Sequence, residues 1–205
     1  MRDEFPTNQE LIEISFSGKD FSGITVRDRD FMLCSFRSCQ MAEIDLRSCR
    51  FQDCSFEQCD VSLAKLERCQ FQNTTFCKSR LVGIDWTRLT WQKKALKPAL
   101  HFVECNLNYS NFFGCLLKNT KFTDCMLQEV EFGEADLSQA DLRRADLSQA
   151  RFFHTDLTET DLRDARNYDI NAVVNTLHKT RFTLPEAVSL LHSLDIILDE
   201  EGGFQ

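Results

Sequence analysis

The sequence predicts an all-β chain wound into a four-sided solenoid, closed by a small C-terminal module of helix and strand. Three observations predict it. An apolar residue recurs at every fifth position, a second column of mostly small residues lies two places before the first, and large residues of like kind recur every twenty.

The five-residue beat starts at Phe16 and continues through Phe21, Val26, Phe31, Phe36, Met41, Leu46, Phe51, Phe56, Val61, Leu66, Phe71, Phe76, Leu81, Trp86 and Trp91 without a polar residue. It then slips by one and resumes as Phe102, Leu107, Phe112, Leu117, Phe122, Leu127, Phe132, Leu137, Leu142, Leu147, Phe152, Leu157 and Leu162. A period of five fits neither the 3.6 of a helix nor the 2 of a strand. It requires a chain that turns a corner in every repeat. The second column reads Cys34, Cys39, Ile44, Cys49, Cys54, Cys59, Ala64, Cys69 and later Ala135, Ala140, Ala145, Ala150, with Lys19 and Arg29 as exceptions near its start. One large and one small inward residue in five describe one side of a narrow tube. The sides number four because Phe16, Phe36, Phe56 and Phe76, and likewise Phe31, Phe51, Phe71 and Trp91, lie twenty apart. Offset rings stacked at strand spacing bury large apolar areas. With only seven Gly and three Pro, tight glycine turns are too few to bend this backbone.

The composition narrows the function. At 205 residues, 42% hydrophobic and 27% charged, the chain fits one folded domain and is neither disordered nor membrane-like. No apolar run is long enough to span a bilayer. Residues Met1 to Glu13 are polar and lack a signal-peptide core, so a cytoplasmic protein is expected. A net charge of −8 argues against a nucleic-acid-binding role and favours a basic partner. Nine of the ten cysteines, all but Cys77, fall in the small inward column, which makes them compact core filler rather than disulfides or thiolate ligands. His101, His154, His178 and His192 are scattered, and no phosphate loop or nucleophile motif is present. No catalytic residue, metal or cofactor is expected, because a filled tube offers no concave site on its walls.

The stretch Ala135-Asp136-Leu137-Ser138-Gln139-Ala140-Asp141-Leu142-Arg143-Arg144-Ala145-Asp146-Leu147 resembles the pentapeptide-repeat family, A(D/N)LXX, residue by residue. The resemblance covers roughly Ser15 to Ala165 and implies a right-handed quadrilateral β-helix. It is specific for fold and much less so for function. The solenoid is placed at 14–165, interrupted at 92–101, and a capping or dimerisation module at 166–205.

In that module Thr183-Leu184-Pro185-Glu186 reads as a capping box before a helix bearing Ala187, Val188, Leu190, Leu191 and Leu194 on one face. Ile196-Ile197-Leu198 is β-prone, and Asn171 to Lys179 is a weaker helical segment with Val173, Val174 and Leu177. A solenoid end needs a cap. Resemblance to gyrase-targeting members adds a second reading, in which Leu184, Ala187, Val188, Leu191, Leu194, Ile196, Ile197 and Leu198 pair two chains into a homodimer. The slip at Gln92 to His101 is either a one-residue bulge or a six-residue loop. The loop is favoured because Lys93, Lys94 and Lys97 suit solvent and Pro98 suits re-entry.

Charge separates the two halves. Residues 14–91 hold 10 acidic and 11 basic residues, whereas 102–165 hold 12 and 6. Glu131, Glu134, Asp136, Asp141, Asp146, Asp156 and Asp161 are the candidate acidic contact residues, and Lys93, Lys94 and Lys97 the candidate loop contacts. Two readings remain. Aspartate just before the central residue bonds turn amides, or the carboxylates form a negative stripe that imitates duplex DNA. The chain looks like the topoisomerase-interacting branch of the family (the Qnr, MfpA and microcin- or albicidin-immunity proteins). That resemblance implies a non-enzymatic DNA mimic that binds DNA gyrase or a related type II topoisomerase and counters a quinolone or peptide toxin. The alternative is a structural or scaffolding repeat protein with no topoisomerase partner.

Overall fold

The computed structural model describes residues 3–92, 98–194 and 196. The chain forms a parallel β-solenoid of four sides. The first side carries strands Glu10–Ile12, Asp30–Met32, Arg50–Gln52 and Gln70–Gln72, and the second Ser15–Ser17, Ser35–Arg37, Ser55–Glu57, Thr74–Cys77, Leu100–Val103 and Phe122–Thr123. The third is held by single bridges such as Asp20 to Gln40 and Gln40 to Asp60. The fourth carries Thr25–Arg27, Asp45–Arg47 and Lys65–Glu67. Each strand is only two to four residues long, with a large residue inward, because the chain must turn again within five.

The corners explain the scarcity of glycine. The residue two places after nearly every central one takes a left-handed conformation, as in Glu13 (φ 57°), Asp28 (φ 52°), Gln139 (φ 59°) and Glu159 (φ 58°); Arg88, after Trp86, sits in a short 3-10 turn instead. Such a conformation costs a non-glycine residue about 1–2 kcal/mol. An inter-coil bond offsets it, since the same residue donates its N–H to the next coil: Glu13 to the Met32 oxygen at 2.9 Å, Gln139 to Thr158 at 2.8 Å.

Inside, Phe16, Phe36, Phe56 and Phe76 stack at centroid separations of 4.4–4.9 Å, and Phe31, Phe51 and Phe71 at 4.6 and 4.9 Å. The small column does more than fill space. On the strand-type sides its thiols reach a carbonyl of the preceding coil: Cys54 Sγ to the Phe31 oxygen at 3.4 Å, Cys59 to Phe36 at 3.4 Å, Cys69 to Leu46 at 3.4 Å. Thr74 does the same toward Phe51 at 3.2 Å. In the turn-type repeats the backbone closes on itself, with Ala135 N bonded to Phe132 O at 3.1 Å and Ala140 N to Leu137 O at 2.9 Å, and alanine suffices. Burial pushes the Cys54, Cys59 and Cys115 thiols up to about 12, so they stay protonated and inert at neutral pH.

Pairing steps by twenty residues on each side, except at the break. There Phe76 pairs with Phe102, Arg80 with Asn106 and Asp85 with Asn111, a step of twenty-six. Six residues are thus added to one coil while the register on either side is kept. Trp86 fills this coil, fully buried, with its ring 5.3 Å from Phe102 and 5.4 Å from Phe112. Below the break aromatics line the first and second sides; above it they line the second and fourth.

Both ends run past the expected 14–165: at the N-terminus Glu10–Ile12 already pairs with Asp30–Met32. There Phe5 lies over the bore, stacked 3.9 Å from Phe21. The two exceptions in the small column, Lys19 and Arg29, hold the entering chain through Asp3 (3.0 Å) and the carbonyls of Thr7 and Asn8. At the other end, pairing runs past the boundary expected at 165: Asp156 bridges Thr176, and Asp161 bridges Arg181. The segment 171–179 is therefore turn and bridge rather than helix, because Leu157 and Leu162 still donate to the Thr176 and Arg181 carbonyls. The C-terminal helix is a 3-10 helix, Glu186–Leu194, and among the described residues no hydrogen bond closes the expected capping box. The Thr183 hydroxyl instead accepts the Asp164 N–H at 2.7 Å, tying the helix entry to the last coil. Ser193 Oγ accepts from Ala172 N at 2.9 Å, a second tie.

Candidate partner-binding surface

The candidate carboxylates are held in place by the repeat itself. Asp136 Oδ1 accepts from the Ser138 amide at 2.9 Å, and the same short turn recurs in Asp141 with Arg143, Asp146 with Ser148, Asp156 with Thr158 and Asp161 with Arg163, at 2.9–3.2 Å. Asn106 and Asn111 make this bond without a charge, at 3.0 Å each. The aspartates therefore have a structural task whatever else they do.

The structure does not bring all seven together. Asp136 and Asp156 share the first side, bridged directly one coil apart. Asp141 and Asp161 share the second, Asp146 lies on the third, and Glu131 and Glu134 belong to the fourth and its corner. Arginines answer much of this charge. Arg143 lies 2.7 Å from Asp141 and 3.9 Å from Asp161; Arg163 is 2.6 Å from Asp161, Arg166 3.1 Å from Asp146, and Arg151 3.8 Å from Glu131. The hydrogen bond from Arg163 holds the Asp161 carboxyl below the usual range. Among the described residues, Asp136 and Asp156 have no such ion pair. The first side is thus the clearest negative column.

Of the C-terminal candidates, Leu184 (78% exposed), Val188, Leu194 and Ile196 present apolar surface outward, while Ala187 and Leu191 are half-buried. Ile197 and Leu198, and the loop candidates Lys93, Lys94 and Lys97, lie outside the described residues. No described helix is long and apolar enough to cross a membrane. The sequence reading passed over Phe113 and Phe153. Each directly follows an inward phenylalanine, and this doublet was the available signal that the second ring must face outward.

A four-sided parallel coil with a filled bore, outward carboxylates and a partly apolar end defines a repeat solenoid. Residues 29–98 match the model of a pentapeptide repeat region, and residues 105–144 and 131–166 match that of eight-copy pentapeptide repeats. The chain belongs to the pentapeptide-repeat family. Among solved structures it is similar to two trypsin-treated variants of QnrB1, described as a plasmid-mediated fluoroquinolone resistance protein. The TM-scores are 0.70 and 0.69 at 17% and 18% identity, covering 93% and 92% of this chain and 99% of the other in both cases. At that identity the likeness is one of fold. No curated protein matches this chain.

Proposed function

We propose that this chain is a non-enzymatic, cytoplasmic DNA mimic that binds a type II topoisomerase such as DNA gyrase and protects it from a quinolone or peptide toxin. The observation that carries the reading is charge density along a rigid rod. Residues 102–165 carry a net charge of −6. At ~4.8 Å per twenty-residue coil they occupy roughly 15 Å of axis, or about one net charge per 2.5 Å. Duplex DNA carries one per ~1.7 Å. The fold likeness to QnrB1 along nearly its whole length supports the same reading. The exposed Leu184, Val188, Leu194 and Ile196 suit an end-to-end homodimer, the 183–196 segment serving as both cap and contact.

The test is gyrase supercoiling in the presence of a fluoroquinolone, with the chain titrated into the micromolar range. Restored supercoiling is expected; no effect at any concentration would sink the reading. Asp136→Asn with Asp156→Asn isolates the charge, because Asn106 and Asn111 already make the same turn bond. The double variant is expected to keep its thermal midpoint and to bind gyrase several-fold more weakly, with a reduced salt dependence. The neutralising arginines favour a second reading, a scaffolding protein with no topoisomerase partner. Under it, the double variant keeps the biological role of the wild type.

A further inference from the structure

The fourth side, above the break, presents aromatic rings to solvent. Phe113 is 46% exposed, Phe153 53%, and Tyr109, at the corner of the same coil as Phe113, 53%. The coil between Phe113 and Phe153 reads Glu129-Val130-Glu131-Phe132-Gly133-Glu134, so what it turns outward is three glutamates, with Gly133 covered among them. The three coils stack directly. Asn111 bridges Glu131 and Glu131 bridges Arg151, while Gly114 N donates to the Gly133 oxygen and Glu134 N to the Phe153 oxygen, both at 2.8 Å. The glycine has a specific role. A Cβ at position 133 would stand 3.1 Å from Phe113 Cδ2 and 2.8 Å from Glu131 Oε1, which accepts the Gly133 N–H at 2.8 Å. Its absence lets the Phe113 ring lie along the wall beside the Glu131 carboxylate. The Phe153 ring is braced against His154, centroids 4.0 Å apart. Arg151, at the edge of the patch, approaches Glu131 only to 3.8 Å.

Exposed rings set among carboxylates match one chemistry. A guanidinium is planar, stacks on an aromatic face and takes a carboxylate in bidentate fashion, which an ammonium does not. We propose that this side receives an arginine side chain of a protein partner, with Phe113 and Phe153 as stacking platforms and Glu129, Glu131 and Glu134 as acceptors. It rests on the reading that the chain binds a basic protein surface, and adds which wall is used and by what contact.

The test is an NMR titration of the full chain with the blocked peptide acetyl-Arg-Gly-Arg-amide, its lysine counterpart and its neutral citrulline counterpart. The arginine peptide is expected to shift the Gly133 amide and the Phe113 and Phe153 ring signals together, saturably in the millimolar range. Lysine should bind about fivefold more weakly, and citrulline should leave these signals unmoved. Gly133→Ala, at a position where other repeats carry Ser138, Arg143 or Ser148, keeps the fold and should weaken arginine binding by about fivefold, as should Phe113→Ala with Phe153→Ala. Shifts spread evenly over carboxylates on all four sides, or unchanged by these variants, would overturn the proposal. Loss of a dimer in the Phe113→Ala, Phe153→Ala chain by sedimentation would assign the wall to a second copy and overturn it equally. A wild-type chain that ignores gyrase removes the partner proposed above, and the peptide titration still decides this surface.

Discussion

Replacing Cys54 with alanine tests why cysteine recurs inside the N-terminal half. Cys54 is buried, and its thiol reaches the Phe31 and Gln52 carbonyls at 3.4 Å each. On the third side, Met41 O receives a turn bond from Ile44 N at 3.2 Å; no comparable bond from residue 34 reaches Phe31 O among the described residues. Alanine removes one buried group the size of a methylene, about 0.8 kcal/mol of burial. It also removes a second, weak donor from the Phe31 and Gln52 carbonyls, which keep their backbone partners (the ladder amide of Gln52, and Leu33 N at 2.9 Å), roughly 0.5–1 kcal/mol. The expected loss is ~1–2 kcal/mol, a fall of about 3–6 °C in thermal midpoint for a domain of this size. Cys54→Thr is the control supplied by the protein itself. Thr74 holds the equivalent place one coil on and reaches the Phe51 oxygen at 3.2 Å, so threonine should stay within ~1 kcal/mol of wild type. Thermal and urea unfolding followed by circular dichroism reads both. An alanine variant as stable as wild type, or a threonine variant as damaged as alanine, would refute the donor role and leave cysteine as filler.

Gly83 sits at φ +69°, where an added Cβ would meet Leu63 Cδ2 at 2.8 Å. Gly83→Ala should lose about 1 kcal/mol in urea unfolding; adding Leu63→Ala should recover only the contact part of that loss. Hydrogen bonds from Arg50, Arg47, Arg144 and Arg163 lower the carboxyl pKa values of Asp30, Asp45, Asp124 and Asp161. The unfolded chain then binds more protons than the folded one as pH drops. This stabilisation is complete above the unfolded value near ~4 and is lost as pH falls through the lower folded values. Melting curves should therefore be flat from pH 7 to about 5 and decline below about 4; a decline already complete at pH 6 would contradict the assignment. Leu184→Asp with Val188→Asp should halve the mass seen by light scattering while the melting profile of the solenoid is kept. An unchanged mass would remove these residues from any dimer contact.

The period of five, and with it the solenoid, was legible because every inward position is filled by the same two kinds of residue, so local sequence and tertiary packing repeat together. Phe31, Phe51 and Phe71 could be stacked by counting alone, since parallel coils place residues twenty apart in contact. The same counting could not tell whether six residues or one were added at the break, because the apolar phase is the same either way; pairing of Phe76 with Phe102 decided it. It also stopped too early. Past Ala165 the central column carries Asn167 and Ala172 before Leu177 and Phe182 return to it, which hides the beat from an apolar count; yet Ile170 and Asn175 stay buried in the small column, and Asp156 and Asp161 find backbone partners at Thr176 and Arg181.

What the sequence determined by itself was which residues face the bore, since burial is a property of each repeat. What only the tertiary structure decided was which outward residues share a wall. Seven carboxylates that look like one acidic run along the chain are dealt to four sides by the corner after each fifth residue, and arginines meet four of them, three from a neighbouring coil. The same winding sets Phe113 and Phe153, forty residues apart, on either side of the glutamates of one coil. Neighbourhood across coils is created by the winding, and no local pattern in the chain records it.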